Sequence, residues 1–366
     1  MRLTVSRAIL LGLLQKVIGV VESKQTLAIL SNVLFRCGGG RLSLTATDLE
    51  MELIAEVDFS ACLDNLTFTV PARTLLDMCQ SLAEDSTVDL LLEGEKLRIS
   101  SGKARFNLTT LPAENFPGFD TQPIDDCFAI SGPKLRRVLE KTKFAMALQD
   151  VRFYLNGLLL EVEQDVLRAV TSDGHRLAYS EQKLDIPVST QYQVIIPRKG
   201  VAELYRLLGG WEDNVEISLG SNNLRALIGD TLFSVKLLDS KYPDYRRVIP
   251  SDLGLTFFIN KLTLKHALSR VIVVCPEKFR AVRFDCQADA LTLSASGPDH
   301  EDASDVVDAH IGKDFQTAYN GSYVLDALNH CDSDMIKFCV SDSSTACVIE
   351  SDDDSNCRFV VMPLRL

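Results

Sequence analysis

A threefold internal repeat is the sequence feature that most constrains the fold of this chain of 366 residues. Three segments with alternating apolar side chains align with one another: LSLTATDLEMEL from Leu42, LRAVTSDGHRLAYS from Leu167 and LTLSASGPDHEDAS from Leu291. The segments are 125 and 124 residues apart, so Asp48 and Asp173 occupy the same place. Alternation that stops at a dipeptide such as Asp173-Gly174 predicts a strand, a tight turn and a second strand. The same hairpin is therefore expected three times.

Two further segments recur with the same period. The first is a strand followed by an amphipathic helix, with a candidate N-cap at Ser6, Ser131 or Asn260. The second is a strand that leads into another helix, and it begins at Phe68, Val194 or Thr317. More alternating segments follow each second helix, so each repeat predicts two helices packed on roughly eight mostly antiparallel strands. The expected fold is α+β, with three similar domains at 1–122, 123–250 and 251–366, divided at Pro-containing polar joints.

Composition narrows the class of protein. No apolar stretch approaches the roughly 20 residues of a membrane span, and no signal-peptide cleavage site follows the N-terminal segment, so a soluble, cytoplasmic protein is expected. The ten cysteines form no C-x-x-C pair and have no histidine at ligand spacing, which predicts buried, reduced thiols and no metal or other cofactor.

The distribution of charge favours a nucleic-acid partner, although the net charge of −12 by itself argues against one. The six predicted helices together carry a net charge of +10, which leaves −22 for the rest of the chain. The plain alternative is that helices tolerate Lys and Arg well, but they tolerate Glu equally and contain little of it. If the helices line one surface, that surface suits a DNA backbone bound without base recognition.

The stretch that follows the central turn has three interpretations. Asp173, His175 and Ser172 are candidate groups for a hydrolase, but no catalytic motif accompanies them. A plain turn, in which Asp173 and His175 satisfy backbone groups, is the second interpretation. The third is a binding pocket with polar donors from His175, Arg176 and Arg247 and with apolar walls. The stretch Gly174 to Leu177 has no counterpart in the other two repeats, which favours a site where partners dock.

Seven ordered motifs, spread over all three repeats, resemble the bacterial sliding clamp, the beta subunit of DNA polymerase III. They are TDLEME from Thr47, DVRFYLNG from Asp150, TSDGHRLA from Thr171, IPRKGVAEL from Ile196, GSNNLRA from Gly220, YPDYRRV from Tyr242 and the terminal VVMPLRL. The resemblance implies a non-enzymatic processivity factor: a head-to-tail homodimer that closes as a ring around double-stranded DNA, slides without sequence specificity, and tethers the replicative polymerase, the clamp loader and other polymerases and repair proteins.

The resemblance also implies roles for individual residues. A pocket for short glutamine-plus-hydrophobic peptides is implied at Leu155, Ser172, Gly174, His175, Arg176, Leu177, Pro243, Arg247, Val248, Phe279, Asn320, Tyr323, Ser344, Val360, Val361, Met362, Pro363, Leu364 and Arg365. DNA contacts are implied at Lys24, Arg73, Gln149, Phe153 and Tyr154. A dimer seam is implied where Phe106 and Leu108 meet Val273 and Val274 of the partner subunit.

Several residues depart from the family pattern. Phe153 stands where the family usually has Tyr, and Leu148 stands where it commonly has His. The seam pair is two valines instead of a larger aliphatic pair. Each lost methylene at the seam removes about 0.8 kcal/mol of apolar burial, which predicts a ring that dissociates more readily than the family norm. The departures at Phe153 and Leu148 also leave open the hypothesis that the chain is a regulator or decoy subunit, which keeps the ring but is loaded poorly onto DNA.

Overall fold

The computed structural model describes residues 2–22, 27–61, 65–119, 127–250, 254–276, 280–287, 289–298, 300–341 and 345–365. Within these ranges the α-helices are α1 Arg7–Val17, α2 Ala72–Ser81, α3 Gly132–Thr142, α4 Arg198–Leu207, α5 Lys261–Val271 and α6 Gly321–His330. Two predicted N-caps are confirmed: Ser6 Oγ accepts from the Ile9 N–H at 3.2 Å, and Asn260 Oδ1 accepts from the Thr263 N–H at 3.0 Å. Both caps satisfy a donor that the first helical turn leaves unpaired.

Strands fill most of the rest of the described ranges, with eight in the described part of each repeat. The first repeat contains β1 Arg2–Ser6, β2 Asn32–Gly38, β3 Arg41–Thr47, β4 Met51–Asp58, β5 Leu66–Pro71, β6 Thr87–Glu93, β7 Lys96–Ser101 and β8 Ala104–Thr109. The second contains β9 Cys127–Ser131, β10 Gly157–Glu163, β11 Val166–Ser172, β12 Arg176–Lys183, β13 Tyr192–Pro197, β14 Asn214–Leu219, β15 Asn223–Ile228 and β16 Thr231–Lys236. The third contains β17 Leu255–Asn260, β18 Ala281–Gln287, β19 Ala290–Ser296, β20 Asp302–Asp308, β21 Phe315–Asn320, β22 Met335–Val340, β23 Cys347–Ser351 and β24 Asp354–Val361.

The strands form four sheets in two compact units. The first unit, residues 1–133 and 202–237, holds a four-stranded sheet of order β1-β6-β7-β8 and an eight-stranded sheet of order β5-β2-β3-β4-β16-β15-β14-β9. The second unit, residues 134–201 and 238–366, holds an eight-stranded sheet of order β13-β10-β11-β12-β24-β23-β22-β17 and a four-stranded sheet of order β20-β19-β18-β21. The predicted class, α+β with antiparallel sheets, is confirmed.

The compact units do not follow the three repeats, and the reason is strand pairing. In the first unit β4 of the first repeat pairs with β16 of the second, and in the second unit β12 of the second repeat pairs with β24 of the third. Each junction therefore continues one sheet from one repeat into the next, and the middle repeat is divided between the two units. The boundaries near 122 and 250 stay predictions.

The cysteines differ in part from the prediction. Cys37 is disulfide-bonded, so the expectation that all ten thiols are reduced is wrong at this position. Cys127 is exposed, whereas Cys79 and Cys286 are free and buried, and burial raises the pKa of both thiols to about 12. Across the described ranges, no helix is long and apolar enough to span a membrane.

Candidate functional site

The turn between β11 and β12 is held by side chains of its own sequence. Asp173 Oδ1 accepts from the backbone N–H groups of His175 and Arg176 at 2.9 and 3.0 Å. Ser172 Oγ donates to the Arg176 carbonyl at 2.7 Å. Gly174 has a φ of 89°, a left-handed conformation that favours glycine. The plain interpretation of Asp173, as a residue that satisfies backbone groups, is therefore confirmed for the turn itself.

The first repeat contains the same turn, which corrects the prediction that Gly174 to Leu177 has no counterpart. Asp48 Oδ1 accepts from the N–H groups of Glu50 and Met51 at 2.9 and 2.7 Å, and Thr47 Oγ1 donates to the Met51 carbonyl at 2.7 Å. Leu49 has a φ of 77° at the position of Gly174. Only the side chains differ between the two turns, so the asymmetry lies in side-chain chemistry and not in backbone geometry.

Arg176 is engaged by the protein on several sides. Its Nε donates to Asp173 Oδ2 at 3.0 Å, Nη1 pairs with Asp326 on α6, and Nη2 donates to the Phe144 carbonyl at 3.0 Å. The guanidinium also lies 4.4 Å from the ring centroid of Tyr323, a cation–π distance. With its side chain 13% exposed, Arg176 joins the turn to α6.

The chain's final segment lies directly beside this turn. In the β12–β24 pairing Leu177 faces Val360 and Arg176 faces Val361. The Met362 N–H donates to the His175 carbonyl at 2.9 Å, so the contact continues past the end of β24. Strand pairing thus brings together two sets of predicted pocket residues that are almost 200 residues apart in sequence.

Three of the predicted pocket residues belong to one buried apolar cluster. It contains Leu155, Leu177 and Val360, which are 4%, 3% and 1% exposed, together with Tyr242. Besides Arg176, the predicted residues with exposed or half-buried side chains are Ser172, His175, Pro243, Arg247, Val248, Asn320, Tyr323, Met362, Pro363, Leu364 and Arg365. Val361 is buried in the neighbouring cluster of the same unit. The second unit therefore contains some of the predicted pocket residues in a buried apolar cluster and others, both apolar and polar, with exposed or half-buried side chains.

Asn320 has a structural role in addition to the predicted one. Its Oδ1 accepts from the Ser322 N–H at 3.0 Å and so caps α6. Phe279 and Ser344 of the predicted pocket, and Lys24 of the predicted DNA contacts, lie outside the described residues.

The loop between α3 and β10 carries three of the predicted DNA contacts. It is closed by a backbone hydrogen bond from Ala147 to Leu155 at 3.0 Å, and Gln149 and Phe153 are exposed, Phe153 by 73%. Tyr154 is half-buried, and its ring centroid lies 5.8 Å from that of Tyr242 in a T-shaped arrangement. The loop therefore presents an aromatic face to solvent beside the predicted pocket.

Arg152 stabilises this loop, a role that was not predicted. It pairs with Asp150 at 2.8 Å and donates to the Asp173 carbonyl at 3.3 Å. Hydrogen bonds from Arg152 lower the pKa of Asp150 to about 2. In the sequence, the signal for this role was the D-x-R spacing of Asp150 and Arg152 in a short loop.

The basic helices are partly neutralised by ion pairs. Arg137 on α3 lies 2.6 Å from both Asp332 and Asp354, and Lys141, 7% exposed, also pairs with Asp332. In the first unit Arg206 of α4 pairs with Glu203 at 2.6 Å. The net charge of the helices, counted from the sequence, therefore overstates the positive charge that they present to a partner. Arg73 of α2, in the first unit, is exposed and donates to the Val21 carbonyl at 2.6 Å.

The predicted seam residues lie at sheet edges or helix ends. Phe106 and Leu108 are half-buried on β8, the edge strand of the first unit's four-stranded sheet. Val273 is 79% exposed just after α5 in the second unit, whereas Val274 packs against the apolar core of that unit.

The hydrolase alternative receives no support from this geometry. Both carboxylate oxygens of Asp173 hold the turn and Arg176, and Ser172 donates to a backbone carbonyl. A nucleophilic serine instead needs a hydrogen bond to a base that a third group orients. Within the part of the chain that the structure describes, no group of three His, Cys, Asp or Glu side chains is placed to hold a metal ion.

Comparisons with known proteins agree over the whole chain. Family models of the DNA polymerase III beta subunit match its N-terminal domain at 1–120, its central domain at 129–244 and its C-terminal domain at 246–365. The beta sliding clamps of Pseudomonas aeruginosa and Escherichia coli K12 are 42% and 40% identical, with all of each chain covered. A crystal structure of the DNA polymerase sliding clamp from P. aeruginosa with ligand superposes with a TM-score of 0.97, at 42% identity and full coverage of both chains.

Proposed function

The chain belongs to the DNA polymerase III beta-subunit family and is a DNA sliding clamp; from this premise we propose that two copies pair head to tail, close around duplex DNA and act without catalysis. A clamp of this kind works in the cytoplasm, where bacterial DNA is replicated. The observation that carries the ring proposal is the arrangement of edge strands in the three repeats.

The two junctions within the chain use equivalent strands. At each one the fourth strand of a repeat pairs with the eighth strand of the next: β4 with β16, and β12 with β24. Two such strands remain at sheet edges, β20 of the third repeat and β8 of the first. Unpaired edges are templates for pairing with another chain. Pairing β20 with β8 of the partner subunit repeats the same junction and closes a symmetric dimer through two identical contacts.

The repeat also predicts the register of this pairing. Phe233 pairs with Leu53, and Phe359 pairs with Ala178. Phe106 occupies the corresponding place in β8, which puts it opposite Ala303 of the partner subunit. Charge supports the same pairing, because Lys103 and Arg105 lie on or beside β8 while β20 contains Asp302, Asp305 and Asp308.

For the DNA contact, we propose the basic helices together with the exposed loop between α3 and β10. Lys24, Arg73, Gln149, Phe153 and Tyr154 stay the candidate residues. Arg73 supplies a phosphate-binding cation, and the 73% exposed ring of Phe153 supplies an aromatic face. A contact made mainly to phosphates carries no sequence information, which suits a sliding protein.

For the protein partners, we propose that polymerase III, the clamp loader and other polymerases and repair proteins insert short peptides beside Leu155, Leu177 and Val360. These three side chains form an apolar floor, while His175, Arg247 and Arg365 lie exposed near the same segments. A buried apolar anchor with polar groups around it is a common mode of peptide recognition.

A cysteine pair tests the ring directly. With the exposed Cys127 replaced by serine, Arg105→Cys and Ser304→Cys place thiols opposite each other in the proposed register, whereas Asn107→Cys with Ser304→Cys is the mismatched control. Oxidation after loading on nicked circular DNA is expected to give covalent dimers that survive denaturant on the circle and leave after linearisation. Covalent dimers that denaturant removes from intact circles, or equal cross-linking in the control, would contradict the proposal.

A further inference from the structure

The segment Tyr242 to Val248 supplies one side of the predicted peptide pocket. Tyr242 and Tyr245 are 4% and 3% exposed and belong to the apolar cluster that contains Leu177. Between and after them, Pro243, Arg247 and Val248 are exposed. The two tyrosines thus anchor the segment, and the residues predicted to meet a peptide depend on that anchorage for their position.

A buried carboxylate on the neighbouring sheet holds this segment. Glu161 of β10, with its side chain 3% exposed, accepts from Tyr245 Oη at 2.7 Å and from Arg246 Nη2 at 2.8 Å, both at Oε2. Gln193 Nε2 donates to the other oxygen at 3.4 Å. The Arg246 guanidinium also lies 4.7 Å from the Tyr245 ring centroid. A buried carboxylate is costly unless it is paired and hydrogen-bonded, so these partners are strongly retained.

Apolar packing does not hold the segment on every side. An open cavity of about 400 Å³ borders Tyr245, Arg246, Ile249 and Pro250. Its other walls are polar, with Glu163, Arg168, Tyr179 and Arg358. On the side of this cavity, the hydrogen bonds to Glu161 supplement the apolar packing that leaves Tyr245 only 3% exposed.

We propose that Glu161 is a positioning residue for the peptide pocket: through Tyr245 and Arg246 it holds Pro243, Arg247 and Val248 in place before a partner binds. The inference rests on the proposed function, since it concerns the same pocket. A preformed wall reduces the ordering that binding must supply, so its loss weakens affinity without removing a peptide contact. By linkage, a bound peptide in turn stabilises the segment.

The test compares Glu161→Gln, which keeps the shape of the side chain, with Tyr245→Phe, which removes only the hydroxyl. Glu163→Gln is the matched control: Glu163 is two residues along the same strand, and its carboxylate pairs with Arg168 at 3.0 Å. Arg168 also lies 3.9 Å from Glu161, so the control tests whether a change in the charge around Arg168 is enough to weaken binding. Fluorescence anisotropy measures binding of a labelled synthetic peptide that has a glutamine followed by hydrophobic residues. Limited trypsin digestion of the full chain measures how often the segment opens, by cleavage after Arg246 and Arg247.

Both test variants are expected to bind the peptide about tenfold more weakly, a change of about 1.4 kcal/mol. They are also expected to be cleaved faster after Arg246 and Arg247, with saturating peptide restoring protection. The control should match wild type within twofold in both assays. If Tyr245→Phe and Glu161→Gln bind the peptide with wild-type affinity, the role of Glu161 is overturned but the pocket is not. Faster cleavage that saturating peptide does not slow would have the same meaning. A wild-type chain that fails to bind the peptide would overturn the pocket itself, and with it the role assigned to Glu161.

Discussion

Val273→Leu tests the proposed dimer seam through a gain in stability. In the single chain Val273 is 79% exposed, so an added methylene there is buried only when a partner covers it. Burial of one methylene contributes about 0.8 kcal/mol, and a head-to-tail dimer contains two identical seams, which makes the gain about 1.6 kcal/mol. The dissociation constant of the dimer is therefore expected to fall about 15-fold. Val274 is a poorer site because it already packs against its own unit.

Sedimentation velocity over a nanomolar concentration series measures this change. The wild type is expected to dissociate within that range, since its seam carries two small valines. Val151→Leu is the control, because Val151 is 89% exposed in the loop between α3 and β10 and lies outside the proposed seam. An unchanged dissociation constant for Val273→Leu, or equal tightening in Val151→Leu, would refute the seam assignment. A wild-type dimer that stays intact at nanomolar concentration would refute the weaker ring.

Three further changes test other parts of the structure. Glu52→Gln is expected to raise the thermal unfolding midpoint at pH 8 but not at pH 4. Burial raises the pKa of Glu52, so the folded protein loses stability as the pH rises through that pKa. Equal calorimetric shifts at both pH values would contradict this. Gly174→Ala should lower the free energy of unfolding, measured by denaturant titration, by about 1 to 2 kcal/mol, whereas Gly12→Ala should not. Gly174 has a φ of 89°, and a Cβ there would lie 2.6 Å from Arg152 Nη2. Equal losses in the two variants would argue against backbone strain at Gly174. Phe153→Ala should shorten retention on circular DNA more than Phe153→Tyr does, and equal lifetimes would remove Phe153 from the DNA contact.

Much of the fold followed from local patterns. Alternating side chains predicted the hairpins, and polar residues before apolar helices predicted the caps at Ser6 and Asn260, both of which are confirmed. These features depend on neighbours within about one turn of chain, which is why a sequence reveals them. The predicted lack of a counterpart to Gly174 was wrong, because backbone geometry can persist when side chains change. Leu49 takes up the same left-handed conformation without being a glycine.

The candidate site was less accessible to local reasoning. Family resemblance supplied the pocket residues, but it did not indicate that Arg176 is tied to Asp326 or that Glu161 holds Tyr245. Each of these pairs joins residues more than 80 positions apart, on elements that approach only after the sheet has formed. The spacing of residues in the sequence contains no signal for such contacts.

By itself, then, the sequence determined the threefold repeat, the α+β class and the strand that each hydrophobic run forms, because alternation and capping are short-range properties. The tertiary structure decided which strands pair across the repeats, and hence that β24 lies beside β12 and that β8 and β20 are left as edges. It also decided how many of the basic helix residues are already paired with carboxylates, as Arg137 and Lys141 are with Asp332. Strand pairing and charge neutralisation depend on distances between remote residues, and those distances exist only in the folded chain.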